Sequence, residues 1–209
     1  MFVIYLLALL IAITVHEFAH AKVADYLGDP TPRLQGRLSL NPLVHLDPLG
    51  MILLFLVGFG WGKPVMFDPF NLRNPRRDAA LISIAGPGTN FVVALILSLI
   101  LRLLILFGQS FWLTMGYSML TPIIFLNIVL GVFNFLPIHP LDGFKIVGGF
   151  LSERKAHEWY QLQRYGLLFL IALLLPIGQG NMISYVIQPI ISFIVNLLLP
   201  ASLAPAGIL

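Results

Sequence analysis

Three side chains that can bind a metal or move a proton lie together near the start of the chain. His16, Glu17 and His20 form the pattern H-E-x-x-H inside an apolar run that begins at Met1. Residues four apart on a helix lie on one face about one turn from each other, so both imidazoles can bind one zinc ion. Glu17 is offset from that face, but next to the metal it can take a proton from zinc-bound water. The pattern therefore predicts a zinc site with its own general base.

The surroundings of this motif argue against a chance match and against ordinary core histidines. A charged group inside a membrane helix costs roughly 2.5–3.5 kcal/mol on insertion scales, so such a group needs a function or a partner. The chain also contains no cysteine, which excludes disulfide bonds and thiolate metal sites. Any metal must therefore be bound by His, Asp or Glu.

Two histidines leave a catalytic zinc site incomplete, because such a zinc takes three protein ligands and keeps one position for water. The remaining candidates are three pairs: Asp47 with His45, His139 with Asp142, and Glu153 with His157. The last pair has the spacing E-x-x-x-H, which competes on spacing alone. However, it lies in the charged run "SERKAHE", which is typical of a solvated helix face.

Asp142 is the best placed of these candidates. It lies in "NFLPIHPLDGF", residues 134–144, at the cytoplasmic end of a long apolar segment. Pro137 and Pro140 are expected to end the helix and stiffen the turn, and Gly143 is expected to allow an unusual backbone conformation after the aspartate. A rigid backbone around an acidic side chain suits a direct metal ligand, although spacing alone leaves the other pairs open.

The composition predicts that these residues are positioned by membrane helices. Of the 209 residues, 58% are hydrophobic and only 10% are charged, and the mean hydropathy is +0.93. Soluble domains contain about 25% charged residues, so the fold class predicted is an all-α polytopic membrane protein. The first apolar run lacks a basic leading region and carries the histidines, so we do not expect it to be a removable signal peptide.

Five segments are long and apolar enough, or nearly so, to be transmembrane helices. They are residues 2–24, 79–107, 111–136, 163–178 and 182–200. The run "GMILLFLVGFGW" at 50–61 is too short for a span and fits a re-entrant segment better. The alternating pattern "GRLSLN" at 36–41 predicts an edge strand, so minor β-strand pieces are expected. We divide the chain into a catalytic core, 1–150, and a segment at 151–209 with an amphipathic helix and two transmembrane helices, all within one membrane unit.

The placement of basic residues predicts which side the site faces. With a re-entrant 50–61 segment, eleven of the twelve basic residues lie on the cytoplasmic side, and only Arg102 lies near an outer helix end. This is the bias expected for cytoplasmic loops, and it places the active site toward the cytoplasm. Because topology already explains the basic loops, they do not indicate nucleic-acid binding.

Several motifs together resemble the site-2 protease family of intramembrane zinc metalloproteases. H-E-F-A-H in the first apolar helix is followed by "IAGPGTN" at 84–90 and by N-x-x-P-x-x-P-L-D-G ending at Gly143, in family order. "GRLSLNPLVHLDPLG" and "GWGKPV" resemble loops of the compact bacterial and archaeal branch. The matches run from about residue 12 to residue 147, and no segment resembles the PDZ or CBS domains of other branches.

The resemblance implies a three-helix catalytic core in which His16, His20 and Asp142 bind one Zn²⁺ and Glu17 is the general base. It also implies that Asn134 faces the site, binds substrate and hydrogen-bonds the developing oxyanion. Asn90 is predicted to help bind substrate, with interhelical hydrogen bonding as the alternative. His139 departs from the proline-rich consensus of its turn, and its role stays open.

The function implied is hydrolysis of peptide bonds in or near transmembrane segments of membrane protein substrates, known as regulated intramembrane proteolysis. The expected partners are a single-span membrane protein substrate and the lipid bilayer of a bacterial or archaeal plasma membrane. A homo-oligomer or a regulatory membrane partner stays open. The alternatives are a metal ion transporter, since intramembrane His and Asp also mark ion paths, and an inactive homologue that only binds membrane helices.

Overall fold

The structure, a computed structural model, describes residues 2–57, 60–106, 111–177 and 180–199, and most of them are helical. The helices are α1 (Phe2–Tyr26), α2 (Thr31–Leu34), α3 (Pro48–Val57), α4 (Pro75–Leu106), α5 (Phe111–Asn134), α6 (Asp142–Phe150), α7 (Glu153–Gln161), α8 (Gln163–Leu174) and α9 (Met182–Leu198). Two 3-10 turns cover Pro42–His45 and Pro69–Asn71, and strands β1 (Pro176–Ile177) and β2 (Gly180–Asn181) form a small antiparallel hairpin. The predicted all-α fold class is confirmed.

Three of the described helices are long and apolar enough to cross a membrane. They are α1, α4 and the Met115–Asn134 part of α5. The two C-terminal helices α8 and α9 are apolar but shorter, with 12 and 17 residues. The predicted span at 163–178 therefore ends early, because the chain leaves the helix at Leu174 and turns into the hairpin. The predicted spans also include residues 107, 178 and 200, which lie outside the described residues.

The segment around α3 folds back on itself, as the re-entrant prediction requires. Leu46 pairs with Gly62 in an antiparallel bridge, and the Lys63 N–H donates to the His45 carbonyl at 2.8 Å. The two ends of the segment therefore meet. Ten residues of α3 extend about 15 Å, which is half of a hydrocarbon core of about 30 Å. Residues 58–59 lie outside the described part of this segment.

The predicted edge strand at 36–41 is wrong: in the described chain these residues form no strand ladder. Gly36 has a φ of +69°, a left-handed conformation that ends α2 and interrupts any extended run. Arg37 is buried, and its guanidinium donates to the carbonyls of Val44, Lys63 and Pro64. The alternation in the sequence thus reflects one buried arginine that ties two loops together.

The long helices pack closely through small residues and expose large apolar ones. The buried apolar residues of α1 are alanines: Ala8, Ala12, Ala19, Ala21 and Ala24. Small residues allow neighbouring helix backbones to approach, which is how helices associate in a membrane. Helices α4, α5 and α9 share a second cluster that includes Ala94, Ile128 and Val195. The outward faces carry exposed residues such as Leu7, Leu95 and Leu99, as expected where lipid is the solvent.

A tight turn between α5 and α6 presents Asp142. Helix α5 ends at Asn134, and α6 begins at Asp142 after the proline-rich turn. Gly143 does not have the unusual backbone conformation that we predicted, since its φ is not positive. Its Cβ would instead lie 2.3 Å from the carbonyl oxygens of both Phe135 and Leu136. A glycine is needed here because α6 packs directly against the end of α5.

Candidate metal centre

Two helices bring three potential metal ligands to one point. His16 and His20 lie one turn apart on α1, and Asp142 lies in the first turn of α6. The Nε2 atoms of the two histidines are 3.0 Å apart, and Asp142 Oδ2 lies 3.1 Å from His16 Nε2 and 3.2 Å from His20 Nε2. In the part of the chain that is described, this is the group of metal-binding side chains found within ligand distance of one another.

The dimensions of this cluster suit a zinc ion. Ligand atoms on a tetrahedral zinc with bonds of 2.0–2.1 Å lie about 3.3 Å apart, close to the observed separations. Two imidazoles and one carboxylate are also a donor set typical of catalytic zinc. Burial alone would raise the pKa of Asp142, but the neighbouring His20 and His16 hold this pKa well below its ordinary value. These neighbours favour the ionised carboxylate, which is the form that binds a metal.

Helix α4 passes so close to the cluster that only a glycine fits. A Cβ at Gly86 would lie 2.4 Å from His20 Nε2 and 2.7 Å from His16 Nε2. These are the two atoms that face the predicted metal position, so any larger residue would displace them. Gly86 belongs to the "IAGPGTN" motif, and its lack of a side chain allows α4 to pack against the two histidines.

The other ring nitrogen of each histidine contacts α4. His20 Nδ1 lies 2.7 Å from the Ile82 carbonyl oxygen, and His16 Nδ1 lies 2.6 Å from Asn90 Oδ1. A carbonyl oxygen can only accept, so His20 Nδ1 carries a proton, and in the neutral ring that binds a metal Nε2 then presents the lone pair. Metal-bound histidines in proteins almost always have an outer partner of this kind, which sets the tautomer and the ring orientation.

Asn90 is fully buried, and its contacts favour a positioning role. Its Oδ1 faces His16, while its Nδ2 donates to the Ala12 carbonyl at 3.0 Å and to Asn127 Oδ1 at 2.8 Å. These contacts use both amide hydrogens. Substrate binding by Asn90 stays a prediction, and the interhelical hydrogen bonds that we considered as the alternative are present.

Glu17 is held by the loop that follows α3. The Val65 N–H donates to Glu17 Oε2 at 2.9 Å, and a Cβ at Gly62 would lie 4.0 Å from Glu17 Oε1. Arg37 binds the carbonyls of Lys63 and Pro64, the two residues just before Val65. Burial lowers the pKa of Arg37, and the negative charge of Glu17 opposes that shift. The candidate base is therefore oriented by a backbone segment that a buried arginine fixes.

Asn134 and His139 make no described hydrogen bond to the cluster. The Asn134 side chain donates to the Leu130 carbonyl of its own helix at 3.0 Å, so its role toward an oxyanion stays a prediction. The His139 ring packs edge-on against Phe144 with 5.7 Å between ring centroids, and burial together with Lys145 lowers its pKa.

The rival ligand pairs are not brought to the cluster. Asp47 accepts the N–H of Gly50 at the start of α3, and His45 Nε2 contacts a main-chain carbonyl 2.7 Å away. Glu153 and His157 lie on the exposed face of α7. Among the described residues, Asp142 is thus the candidate that completes a three-ligand set.

Sequence reasoning missed four parts of this arrangement: the Ile82 carbonyl, Gly86, Asn127 and Arg37. The small-residue motif at 84–90 could have pointed to Gly86. A lone arginine in a Pro- and Gly-rich loop, a main-chain carbonyl and an asparagine in an apolar helix carry little signal, because their roles depend on distant segments.

Comparisons with known proteins point to zinc metalloproteases. The model of "Peptidase family M50" matches residues 105–177, which include Asn134 and Asp142. The chain is 38% identical over 190 residues to "Putative zinc metalloprotease YwhC" of Bacillus subtilis, covering 89% of this chain and 84% of that protein. It is 30% identical over 181 residues to "Putative zinc metalloprotease Rip2" of Mycobacterium tuberculosis, covering 83% and 67%. It is also 26% identical over 147 residues to "Zinc metalloprotease MJ0392" of Methanocaldococcus jannaschii, covering 70% and 34%.

No solved structure matches this chain significantly. Three findings lead to one assignment: the extent of the match to the Bacillus protein, the matched family model, and the cluster that Asp142 forms with two buried histidines of a membrane-length helix. The chain belongs to peptidase family M50, the site-2 protease family of zinc metalloproteases.

Proposed function

We propose that this chain uses one zinc ion to hydrolyse peptide bonds within or beside the transmembrane segments of single-span membrane proteins. The observation that carries the proposal is the depth of the cluster. At 1.5 Å per residue, His16 and His20 lie about 21 and 27 Å along α1 from Phe2. Both residues therefore lie in the second half of a helix that is long and apolar enough to cross a membrane, about 15 and 9 Å before its last residue, Tyr26. Substrates that lie in the bilayer can meet a centre at this depth.

His16, His20 and Asp142 are the residues that would hold the metal. When bound there, zinc supplies a Lewis acid that polarises the scissile carbonyl and lowers the pKa of a water molecule toward about 7. The relatives named above as zinc metalloproteases support this metal. The contacts with Ile82 and Asn90 turn the Nδ1 atoms toward α4, and both Nε2 atoms lie within 3.2 Å of Asp142 Oδ2.

Glu17 performs the proton transfers. As general base it takes the proton from the attacking water, and as general acid it delivers that proton to the amide nitrogen that leaves. The Val65 N–H fixes one carboxylate oxygen, Oε2, and leaves Oε1 on the side of Gly62. A carboxylate with one oxygen anchored can keep its orientation through both transfers. Asn134, at the end of α5, is the proposed donor to the oxyanion that develops on the substrate.

The substrate segment must be unwound locally before it is cut. The carbonyls of an intact helix are hydrogen-bonded along the helix and are hidden from a nucleophile. The re-entrant segment and the loop at 62–65 lie beside Glu17, and these are the parts that an unwound substrate would meet first.

We further propose a multi-pass location in a bacterial or archaeal plasma membrane, with the active site toward the cytoplasm. The support is the charge distribution, in which eleven of twelve basic residues fall on one side of the predicted topology. The physiological role proposed is regulated intramembrane proteolysis, in which a membrane-bound precursor releases a cytoplasmic fragment.

The test compares the wild-type chain with Glu17→Gln in cells that also produce candidate single-span proteins. Mass spectrometry of the membrane fraction would detect uncut substrate, and zinc content would be measured on the purified proteins. We expect Glu17→Gln to keep its zinc and to lower the cleavage rate by about 10²–10⁴, the usual contribution of a general base. Full cleavage by a zinc-loaded Glu17→Gln variant would rule out the proposed mechanism.

The same experiment separates the two alternatives. A metal ion transporter needs ligands but no general base, so Glu17→Gln would leave metal transport intact and the wild type would cut nothing. An inactive homologue would bind a membrane helix and leave it uncut in both forms. Cleavage that depends on Glu17 excludes both alternatives.

A further inference from the structure

We infer that Asn127 is a positioning residue for the metal centre, acting through Asn90 to set the tautomer of His16. The inference deepens the proposed function, since it rests on the same zinc site. Asn127 lies in the second half of α5 and is fully buried, and its described hydrogen bonds go to Asn90 and Ile123 rather than to the candidate ligands. Its link to them is a chain of two hydrogen bonds that crosses three helices.

The first step fixes the orientation of the Asn127 amide. One end of this amide lies 2.8 Å from the Ile123 carbonyl oxygen, one turn earlier on α5. A carbonyl oxygen only accepts, so the atom that faces it must be the NH₂ group. The other end, Oδ1, is then an acceptor, and it points at Asn90.

The second step fixes the orientation of the Asn90 amide. Asn90 places its Nδ2 between two acceptors, Asn127 Oδ1 at 2.8 Å and the Ala12 carbonyl of α1 at 3.0 Å. Both contacts require the NH₂ group at this position. Asn90 Oδ1 is therefore turned toward His16 as an acceptor.

The third step determines which nitrogen of His16 carries the proton. The 2.6 Å contact between His16 Nδ1 and Asn90 Oδ1 is a hydrogen bond only if Nδ1 is the donor. In the neutral ring, Nε2 then has the lone pair, and Nε2 is the atom that faces His20 and Asp142. The amide of Asn127 thus favours the form of His16 that can bind a metal.

The two histidines differ in how this is achieved. His20 depends on the main-chain carbonyl of Ile82, which no substitution of a side chain removes. His16 depends on side-chain amides, which could rotate by half a turn and present the wrong atom. Two acceptors hold the Asn90 amide against such a rotation, and Asn127 supplies one of them. Loss of Asn127 leaves only the Ala12 carbonyl to hold it.

The test measures zinc affinity of the full-length chain in detergent by competition with a chelator of known affinity. Asn127→Leu removes the polar group at similar size, and Asn127→Asp keeps the shape. Burial without a cationic partner raises the pKa of a carboxyl group, so we expect this aspartate to be protonated, to donate to the Ile123 carbonyl and to accept from Asn90 as the asparagine does. Thr121→Val is the matched control, because Thr121 is a buried polar residue of α5 whose hydroxyl has no described partner.

We expect Asn127→Leu to weaken zinc binding by about tenfold, the lower end of the range for outer partners of metal ligands. Asn127→Asp and Thr121→Val are expected to bind zinc within about twofold of the wild type. Melting of the metal-free proteins provides the second readout. A purely structural role would lower the melting temperature of Asn127→Leu without changing its zinc affinity relative to Thr121→Val.

The inference is overturned if Asn127→Leu binds zinc as tightly as the wild type, or if the leucine and aspartate variants lose the same affinity. A wild-type chain that binds no zinc would overturn this inference together with the proposed function. The zinc affinities of the variants could follow the expected pattern while the wild-type chain cuts no peptide. That result would overturn the proposed function alone.

Discussion

Two helices of this protein carry histidine and glutamate at a spacing that suits a metal, but the candidate ligands are buried among partners on one helix and exposed on the other. In α1, His16 and His20 are 4% and 7% exposed and lie against Asp142 and α4. In α7, Glu153 and His157 are exposed on a solvated helix. The nearby ion pair of this helix, Arg154 with Glu158, is 3.5 Å long between side chains that are 93% and 64% exposed.

The difference shows that spacing on one helix supplies only part of a site. Exposed polar groups on α7 are satisfied by water, so nothing requires them to converge. Inside an apolar helix each polar group needs a protein partner or a metal, because an unsatisfied group there costs several kcal/mol. The candidate ligands on α1 therefore have partners on α4 and α6, and these partners complete the candidate site.

The largest expected effect comes from replacing the candidate third ligands, Asp142 and Glu153, one at a time by alanine. Asp142→Ala should leave two histidines, which do not make a catalytic zinc site, so zinc per chain and cleavage should both fall to background. Glu153→Ala should retain one zinc per chain and the full rate. Metal analysis of the two purified proteins checks this. Zinc loss in Glu153→Ala with retention in Asp142→Ala would reverse the assignment.

The next effect concerns the space beside the ligands. Gly86→Ala places a methyl group 2.4 Å from His20 Nε2, so we expect zinc binding to be lost or weakened by at least about tenfold. Gly88→Ala is the matched control. Gly88 lies on the same helix, and a Cβ there would have no neighbouring atom within 4 Å. A chelator competition on both variants measures the contrast. Equal zinc affinity for the two would mean that α4 does not pack on the ligands as described.

A smaller effect is expected from substituting Arg37. This change should affect the candidate base, Glu17, and leave metal binding unaffected. Arg37→Leu leaves the carbonyls of Val44, Lys63 and Pro64 without their donor. The free energy of unfolding should therefore fall by about 1–3 kcal/mol. The misplaced Val65 N–H should slow cleavage while zinc content stays unchanged. Arg33→Leu is the control, because Arg33 pairs with Asp25 at the surface. Thermal melting and cleavage rates measure both effects, and loss of zinc from Arg37→Leu would contradict this division of roles.

The smallest effect is expected on α7 itself. His157→Ala should change the free energy of unfolding by less than about 0.5 kcal/mol, as is usual for exposed residues without a special contact. Zinc content and cleavage should match the wild type. Thermal melting and a cleavage assay are sufficient to test this. A substantial loss of activity would show that the exposed helix takes part in the site after all.

Much of the site and some of the fold could be predicted from the sequence. The spacing of His16, Glu17 and His20 is local, and its helix follows from apolar residues alone, so both were open to prediction. Asp142 could be ranked first because prolines and a glycine frame it. The return of the 50–61 segment followed from its length and from the placement of charges. The reason for Gly143 was wrong, since its role depends on carbonyls of the preceding helix.

The predictions that failed depend on contacts between distant segments. The alternation at 36–41 suggested a strand, but the backbone turns at Gly36 and the Arg37 side chain makes the connections. The end of α8 at Leu174 could not be predicted from hydropathy, because two short strands interrupt an apolar run that continues beyond it. Such features depend on which groups lie within reach after folding.

By itself, the sequence determined the chemistry available to this protein: an apolar, cysteine-free chain with two histidines and a glutamate on one membrane-length helix. Those facts follow from residue types and helical spacing, which need no tertiary contact. Only the tertiary structure decided that Asp142 joins the histidines, that Gly86 leaves room for them, and that amides on α4 and α5 orient His16. Hydrogen bonds and close packing act over about 3 Å, so residues 74 to 126 positions apart become partners only in the folded chain.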